Sequence, residues 1–326
     1  MYIESLKFSL WADFIERDYL DAEFKELIAQ GVINGATSNP AIFKNAILNS
    51  SAYKTQLATL DGLSPKEKYE AVAIYDITKA ADILRPLFDS GDDGYVSIEV
   101  DPFLCDDAEG TIEEGRRLYK MINRPNVMIK VPATEAGYIA MEKLTSEGIA
   151  VNATLIFKES QAKACAEAFA KGVAIFGKNV DTVISVFVSR VDRAIDTKLL
   201  QAGVSVGLTG IYNSAAIYNS IEKMGVNGCR TLFASTGVKD DSLSADYYIK
   251  GLLAYNSVNT APIDTIKAYM QSEDKSAKLP LEDTVIQEHF EKVKNAGVDL
   301  NAVLDEQIAD GLIAFKDAFR DILEAL

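Results

Sequence analysis

Eight short stretches of the chain alternate their side chains with a period of two, and longer stretches of helical character separate them. The clearest is Val127-Met128-Ile129-Lys130-Val131-Pro132-Ala133-Thr134, which sets Val127, Ile129 and Val131 on one face and Met128, Lys130 and Pro132 on the other. Amphipathic segments flank it, so this strand is expected to be covered on both faces. Lys130 then either reaches solvent at the strand end or is held away from bulk water. In the second case desolvation disfavours the ammonium and makes the amine a nucleophile near neutral pH.

The same alternation recurs in order. Residues 9–13 place Ser9, Trp11 and Asp13 on one face, and residues 34–39, cut off by Pro40, place Thr37 and Asn39 together. Residues 95–101 set Val96, Ile98 and Val100 opposite Ser97, Glu99 and Asp101. In residues 150–156, Asn152 and Thr154 oppose Val151 and Leu155. Ser185 opposes Ile184, Val186 and Val188, and Arg190 follows at that strand's C-terminal end. Residues 231–236 and 256–260 complete the set. Helices are expected over 19–30, most of 40–89 with Ser64 as cap and Pro65 in the first turn, 108–122, 135–146, 158–176, a run containing 211–224, and about 247–254.

Eight strand-helix units are the count that closes a parallel barrel. An open doubly wound sheet uses fewer strands and carries a phosphate-binding glycine turn, and neither GxGxxG nor GxxxxGK[ST] occurs. The expected fold class is therefore α/β, a single (β/α)8 (TIM) barrel of parallel strands with extra N- and C-terminal helices. Residues 1–326 read as one domain. The segment 302–326, with Leu312, Phe315, Phe319, Ile322 and Leu323 at helical spacing, is expected to pack on the barrel exterior or over its mouth.

Composition narrows the partners. Asp plus Glu outnumber Lys plus Arg by 48 to 33, a formal net charge of −15, so nucleic acid or an anionic membrane meets a repulsive field. An anionic substrate requires a locally basic site. Cys105, Cys165 and Cys229 lack CxxC or CxxH spacing and are odd in number, which argues against a disulfide framework and a structural zinc. With charges at Glu4 and Lys7 and no apolar run of about 18 residues, a cytoplasmic location is expected.

With the apolar faces against the helices, Asp13, Asn39, Glu99, Lys130, Asn152, Thr154 and Ser185 are predicted to converge at one barrel mouth, where barrel enzymes build their sites. Singly, each admits a structural role: Asp13 as a helix cap, Asn39 as a turn residue, Thr154 or Ser185 bonded to a backbone carbonyl, Glu99 and Lys130 as an ion pair. Together they are costly to bury without a function. The lone histidine, His289, reads as a surface or packing residue in a helical region.

Five motifs carry a resemblance: Gly35-Ala36-Thr37-Ser38-Asn39-Pro40, Ser97-Ile98-Glu99-Val100-Asp101, Ile129-Lys130-Val131-Pro132-Ala133-Thr134 with Gly137, Asn152-Ala153-Thr154-Leu155-Ile156-Phe157, and Ile184-Ser185-Val186-Phe187-Val188-Ser189-Arg190. In order and spacing, from about Leu10 to Thr260, they resemble the successive strand motifs of the transaldolase family. That resemblance implies a barrel related to class I aldolases, with a Schiff-base lysine on the fourth strand and no metal or cofactor. It implies transfer of a dihydroxyacetone unit from a ketose phosphate to an aldose phosphate. Lys130 would form the iminium ion, Asp13 would handle the C4 hydroxyl proton, and Glu99 with Thr154 would shuttle protons through a water. Asn39, Asn152 and Ser185 would hold the donor, and Arg190 its phosphate.

There is one departure from the family pattern. Many members carry a second phosphate-binding arginine just after the serine matching Ser235, whereas this chain reads Ser235-Thr236-Gly237-Val238-Lys239. The resemblance implies that Lys239 replaces it, as in the subfamily with this STGxK pattern. Two other readings stand beside transaldolase. One is a fructose 6-phosphate aldolase-like enzyme, a group that is shorter and tends to carry tyrosine where this chain has Glu99. The other is a non-catalytic sugar-phosphate-binding barrel, which the joint presence of Asp13, Glu99 and Lys130 disfavours. Apolar outer helices allow monomer or homodimer.

Overall fold

The computed structural model describes residues 2–239 and 242–326. Strands β1 (Ser9–Ala12), β2 (Gly35–Ala36), β3 (Tyr95–Glu99), β4 (Val127–Pro132), β5 (Val151–Ile156), β6 (Thr182–Phe187), β7 (Cys229–Ala234) and β8 (Val258–Ala261) close into one barrel in chain order, every neighbouring pair parallel. This is the (β/α)8 barrel expected from the alternation.

The two faces of each strand explain the architecture. Val127, Ile129 and Val131 of β4 and Ile184 and Val186 of β6 share one buried core with Ile112, Leu144 and Phe169 of the surrounding helices. The opposite faces fill the barrel. Trp11, Met128, Val183, Leu232 and Val258 pack its lower interior. Below them the Trp11 indole donates to Asp93 at 3.0 Å, and Arg230 grips the same carboxylate with two bonds of 3.2 and 2.6 Å. Apolar filling and a closed ion pair thus occupy the floor, which leaves the upper end for polar groups.

Local differences from the sequence reading have physical causes. β2 is only two residues long, because the chain turns at Asn39 into the helix Pro40–Asn49, which Asn39 caps by accepting the Ile42 N–H at 3.0 Å. The segment 19–30 is two helices, Arg17–Asp21 and Glu23–Ala29, broken at Ala22, whose backbone leaves the helical region. A helix not expected from the sequence, Ser189–Gln201, starts directly after β6. Its buried stripe of Val191, Ile195 and Leu199 is interleaved with charges, and Arg190 stands in its first turn instead of on a strand. Ser64 caps the helix Pro65–Asp89 as expected, and Glu67 completes a capping box: its carboxylate accepts the Ser64 N–H at 2.8 Å while the Ser64 hydroxyl accepts the Glu67 N–H at 3.4 Å.

The C-terminal helix, Leu300–Ala325, spans two environments. Leu304 and Phe315 join Leu155, Phe157 and Phe187 above the barrel, whereas Phe319 and Ile322 reach the outer core. Among the described residues no helix is long and apolar enough to cross a membrane, and the three cysteines are buried and free.

Candidate active site

Strand register brings the chemistry together. Glu99 of β3 pairs with Lys130 of β4, and Lys130 with Asn152 of β5, so three polar side chains from adjacent strands meet at one level of the barrel. The Lys130 Nζ donates to the Ser38 carbonyl at 3.1 Å and lies 3.5 Å from Glu99 Oε2. The Ser38 hydroxyl in turn donates to the Ser97 carbonyl at 2.8 Å, tying the lysine's acceptor to β3.

Burial dominates the carboxyls. Desolvation pushes Glu99 up to about 7, against the lowering field of Lys130 and with a smaller upward push from Asp13. Among the described residues neither Glu99 oxygen has a hydrogen-bond partner, nor does the buried Thr154 hydroxyl. Asp13 is likewise raised by burial, opposed by Lys130, by its bond from Thr37 and by Arg190. The Thr37 hydroxyl donates to Asp13 Oδ1 at 2.8 Å and sits 2.6 Å from that of Thr260, so the Asp13 carboxyl is oriented from two strand ends.

A second chain of bonds fixes the amide. Asn152 donates to the Ser97 hydroxyl at 3.0 Å, and the Ser185 hydroxyl donates to Asn152 Oδ1 at 2.6 Å. The amide is thereby aligned from β3 and β6. A bulge in β5, with Leu155 in the left-handed region at φ 58°, follows directly and shifts its register against β6.

These groups surround a cavity of about 170 Å³ at the carboxyl ends of the strands, lined among others by Asp13, Asn39, Lys130, Ser185, Arg190 and Ser235. Glu99, Asn152 and Thr154 are buried behind that lining. Arg190 is half-buried with its guanidinium 5.1 Å from the Phe187 ring centre, and burial lowers its proton affinity. Ser235 holds a left-handed backbone at φ 55°, unusual without glycine, and its carbonyl accepts the Ser189 N–H at 3.0 Å. Lys239 is exposed and does not line the cavity.

A wider hollow of about 590 Å³ lies among the outer helices, but its charged pair, Lys223 with Asp283, is exposed. The barrel cavity brings together a buried amine, the buried Glu99 carboxyl and the half-buried Asp13 carboxyl, both carboxyls raised by desolvation, the mark of a functional site. His289 is a packing residue: it bonds the Thr209 hydroxyl at 2.8 Å and stacks on Tyr212.

The sequence reading did not single out Thr260, Ser97 or Phe315 for the site. Thr37 and Thr260 were visible as polar ends of alternating stretches. Phe315 was visible only as one member of a helical stripe, with nothing to say that it covers the mouth, where its ring centre lies 5.8 Å from the Lys130 Nζ.

A closed parallel barrel with its titratable cluster at the carboxyl ends of the strands is the layout of a barrel enzyme. Comparison with known proteins gives the family. Residues 10–326 match the model of the Transaldolase/Fructose-6-phosphate aldolase family, and the chain belongs to that family. It is 46% identical to a transaldolase of Campylobacter jejuni over 330 aligned residues, covering 98% of this chain and 99% of the relative. It is 44% identical to a transaldolase of Helicobacter pylori over 323 aligned residues, again 98% of this chain and 99% of the relative.

Proposed function

We propose that the chain is a transaldolase of the pentose phosphate pathway. It moves a dihydroxyacetone unit from sedoheptulose 7-phosphate or fructose 6-phosphate to glyceraldehyde 3-phosphate or erythrose 4-phosphate. The observation that carries this reading is the buried Lys130 amine 3.5 Å from a buried carboxyl, Glu99, held up to about 7.

The Lys130 amine adds to the ketose C2 carbonyl, and loss of water gives the iminium ion. Asp13 takes the proton from the C4 hydroxyl. The C3–C4 bond then breaks, its electron pair flows to the iminium as an enamine, and the aldose phosphate leaves. The enamine attacks the acceptor aldehyde, Asp13 returns the proton, and water hydrolyses the new iminium to free Lys130. Glu99, near neutral pKa, is suited to give and take protons while water is lost and regained, with the unpaired Thr154 hydroxyl as second partner of that water.

Asn39, Asn152 and Ser185 hold the sugar hydroxyls, with Asn152 and Ser185 already bonded to each other. Arg190 and Ser235 bind the phosphate at the cavity rim, with Lys239 as an outer cation. The chemistry needs no metal or cofactor. We further infer a cytoplasmic enzyme, monomer or homodimer, that binds neither nucleic acid nor membrane.

Borohydride trapping tests the reading. After incubation with fructose 6-phosphate and reduction, the intact mass is expected to rise by a reduced three-carbon unit on the peptide containing Lys130, and not in Lys130→Met. A folded protein that forms no adduct with ketose phosphates of several lengths overturns it.

A further inference from the structure

The chain has nine arginines. Seven are ion-paired: Arg17, Arg85, Arg116, Arg117, Arg124, Arg230 and Arg320 each have a carboxylate within bonding distance. Among the described residues, only Arg190 and Arg193 have no such partner. In a chain with 48 acidic residues against 33 basic ones, carboxylates are plentiful, so two arginines left over at one place are a feature of that place.

Both stand on the helix Ser189–Gln201, three residues apart, and side chains at this spacing are neighbours on one helix face. Like charges at that spacing weaken a helix unless an anion lies between them. Arg190 lines the cavity, whereas Arg193 is exposed outside it. The charges that act on the Arg190 guanidinium are those of Arg193, Asp13 and Asp310, so the two arginines share one local field.

We propose that Arg193 is a second phosphate-binding cation of this enzyme, taking the outward oxygens of a sugar phosphate whose inward oxygens meet Arg190. The proposal rests on the reading of the cavity as a sugar-phosphate site. It assigns to Arg193, rather than to Lys239, the main share of the second charge. A phosphate dianion offers several acceptor oxygens, and two guanidiniums match its charge and its geometry where one leaves it half-neutralised. In a molecule of net charge −15 the pair also makes the local patch that draws an anion to the mouth, an effect that weakens as salt screens it.

The test compares the unsubstituted protein with Arg193→Gln and Lys239→Gln. Fructose 6-phosphate and fructose serve as donors, D-glyceraldehyde as acceptor, and inorganic phosphate is titrated by calorimetry. In Arg193→Gln the ratio of kcat/KM for fructose 6-phosphate to that for fructose is expected to fall about tenfold, and the phosphate Kd to rise about tenfold, with smaller changes in Lys239→Gln. An unchanged ratio and Kd in Arg193→Gln, an equal loss with both donors, or a larger effect in Lys239→Gln overturns the proposal. If the unsubstituted protein turns over neither donor, the functional reading fails, and the phosphate titration still decides the role of Arg193.

Discussion

The Lys130 Nζ stands 3.5 Å from Glu99 Oε2 with the two side chains only 6% and 3% exposed, so an amine and a carboxyl share one dry compartment of the barrel. Burial pushes the Glu99 carboxyl up to about 7 against the lowering field of the Lys130 charge, so it changes charge near neutrality.

Replacing Glu99 by Gln keeps the shape and removes the titration. We expect kcat for sugar transfer to fall by about 10²-fold or more, with loss of the limb of the pH profile near neutrality. Stability responds too. A carboxyl whose folded value is raised from 4.5 to about 7 binds its proton more tightly in the native state. Its contribution is fully present below about 4.5 and is lost as pH rises through about 7. Glu99→Gln is therefore expected to lose less melting temperature between pH 5 and pH 8 than the unsubstituted protein. Equal losses in calorimetric scans contradict the assignment.

The Ser97, Asn152 and Ser185 chain makes a separate prediction. Ser185→Ala leaves Asn152 Oδ1, buried in the barrel wall, without its donor at 2.6 Å. An unmet buried acceptor costs about 1 to 3 kcal/mol, and the amide loses its fixed orientation. Denaturant unfolding is expected to show that loss, and the KM for the ketose is expected to rise together with it. A rise in KM with unchanged stability would mean that the Ser185 hydroxyl acts on substrate alone.

At the opposite end, Gly35 of β2 faces the Trp11 indole so closely that a Cβ would sit 2.5 Å from its Nε1. Gly35→Ala must push Trp11 away from Asp93 and disturb the carboxylate that Arg230 holds. Overpacking of this kind costs about 1 to 3 kcal/mol. Because the floor lies far down the strands from Lys130, the folded fraction is expected to keep its kcat, which chevron or equilibrium unfolding and a steady-state assay measure side by side.

How much of this was readable beforehand follows from which side chains the strand period controls. Asp13, Glu99, Lys130, Asn152 and Ser185 lie on or at the end of strands, and a period of two fixes their face, so their convergence followed once eight strands were counted. Arg190 was found but misplaced: the change from β6 to the helix Ser189–Gln201 occurs within two residues, where a strand period and a helix stripe overlap. The pairing of arginines with carboxylates was not readable, since partners such as Arg17 with Asp76 and Arg230 with Asp93 come from distant segments. Nor could helical periodicity tell which part of 302–326 would roof the barrel and which would reach the outer core.

Phe315 on that roof carries the last prediction. Its ring lies over the Lys130 amine, lines the cavity and packs with Leu155, Phe157 and Phe187. In the proposed reaction the enamine between the two half-reactions survives only if water is kept from it, and an aromatic ring at the mouth is placed to keep it out. Phe315→Ala removes both ring and packing. It is expected to lower stability by about 3 kcal/mol and to release several-fold more free dihydroxyacetone per dihydroxyacetone unit transferred to the acceptor. Phe315→Leu, which keeps most of the volume, separates the two effects: its stability is expected to stay closer to that of the unsubstituted protein, with partition to free dihydroxyacetone still raised. Coupled assays for dihydroxyacetone and for the product ketose phosphate read the partition directly. Equal partition in all three proteins would show that water is excluded by the closed barrel walls and not by the C-terminal helix.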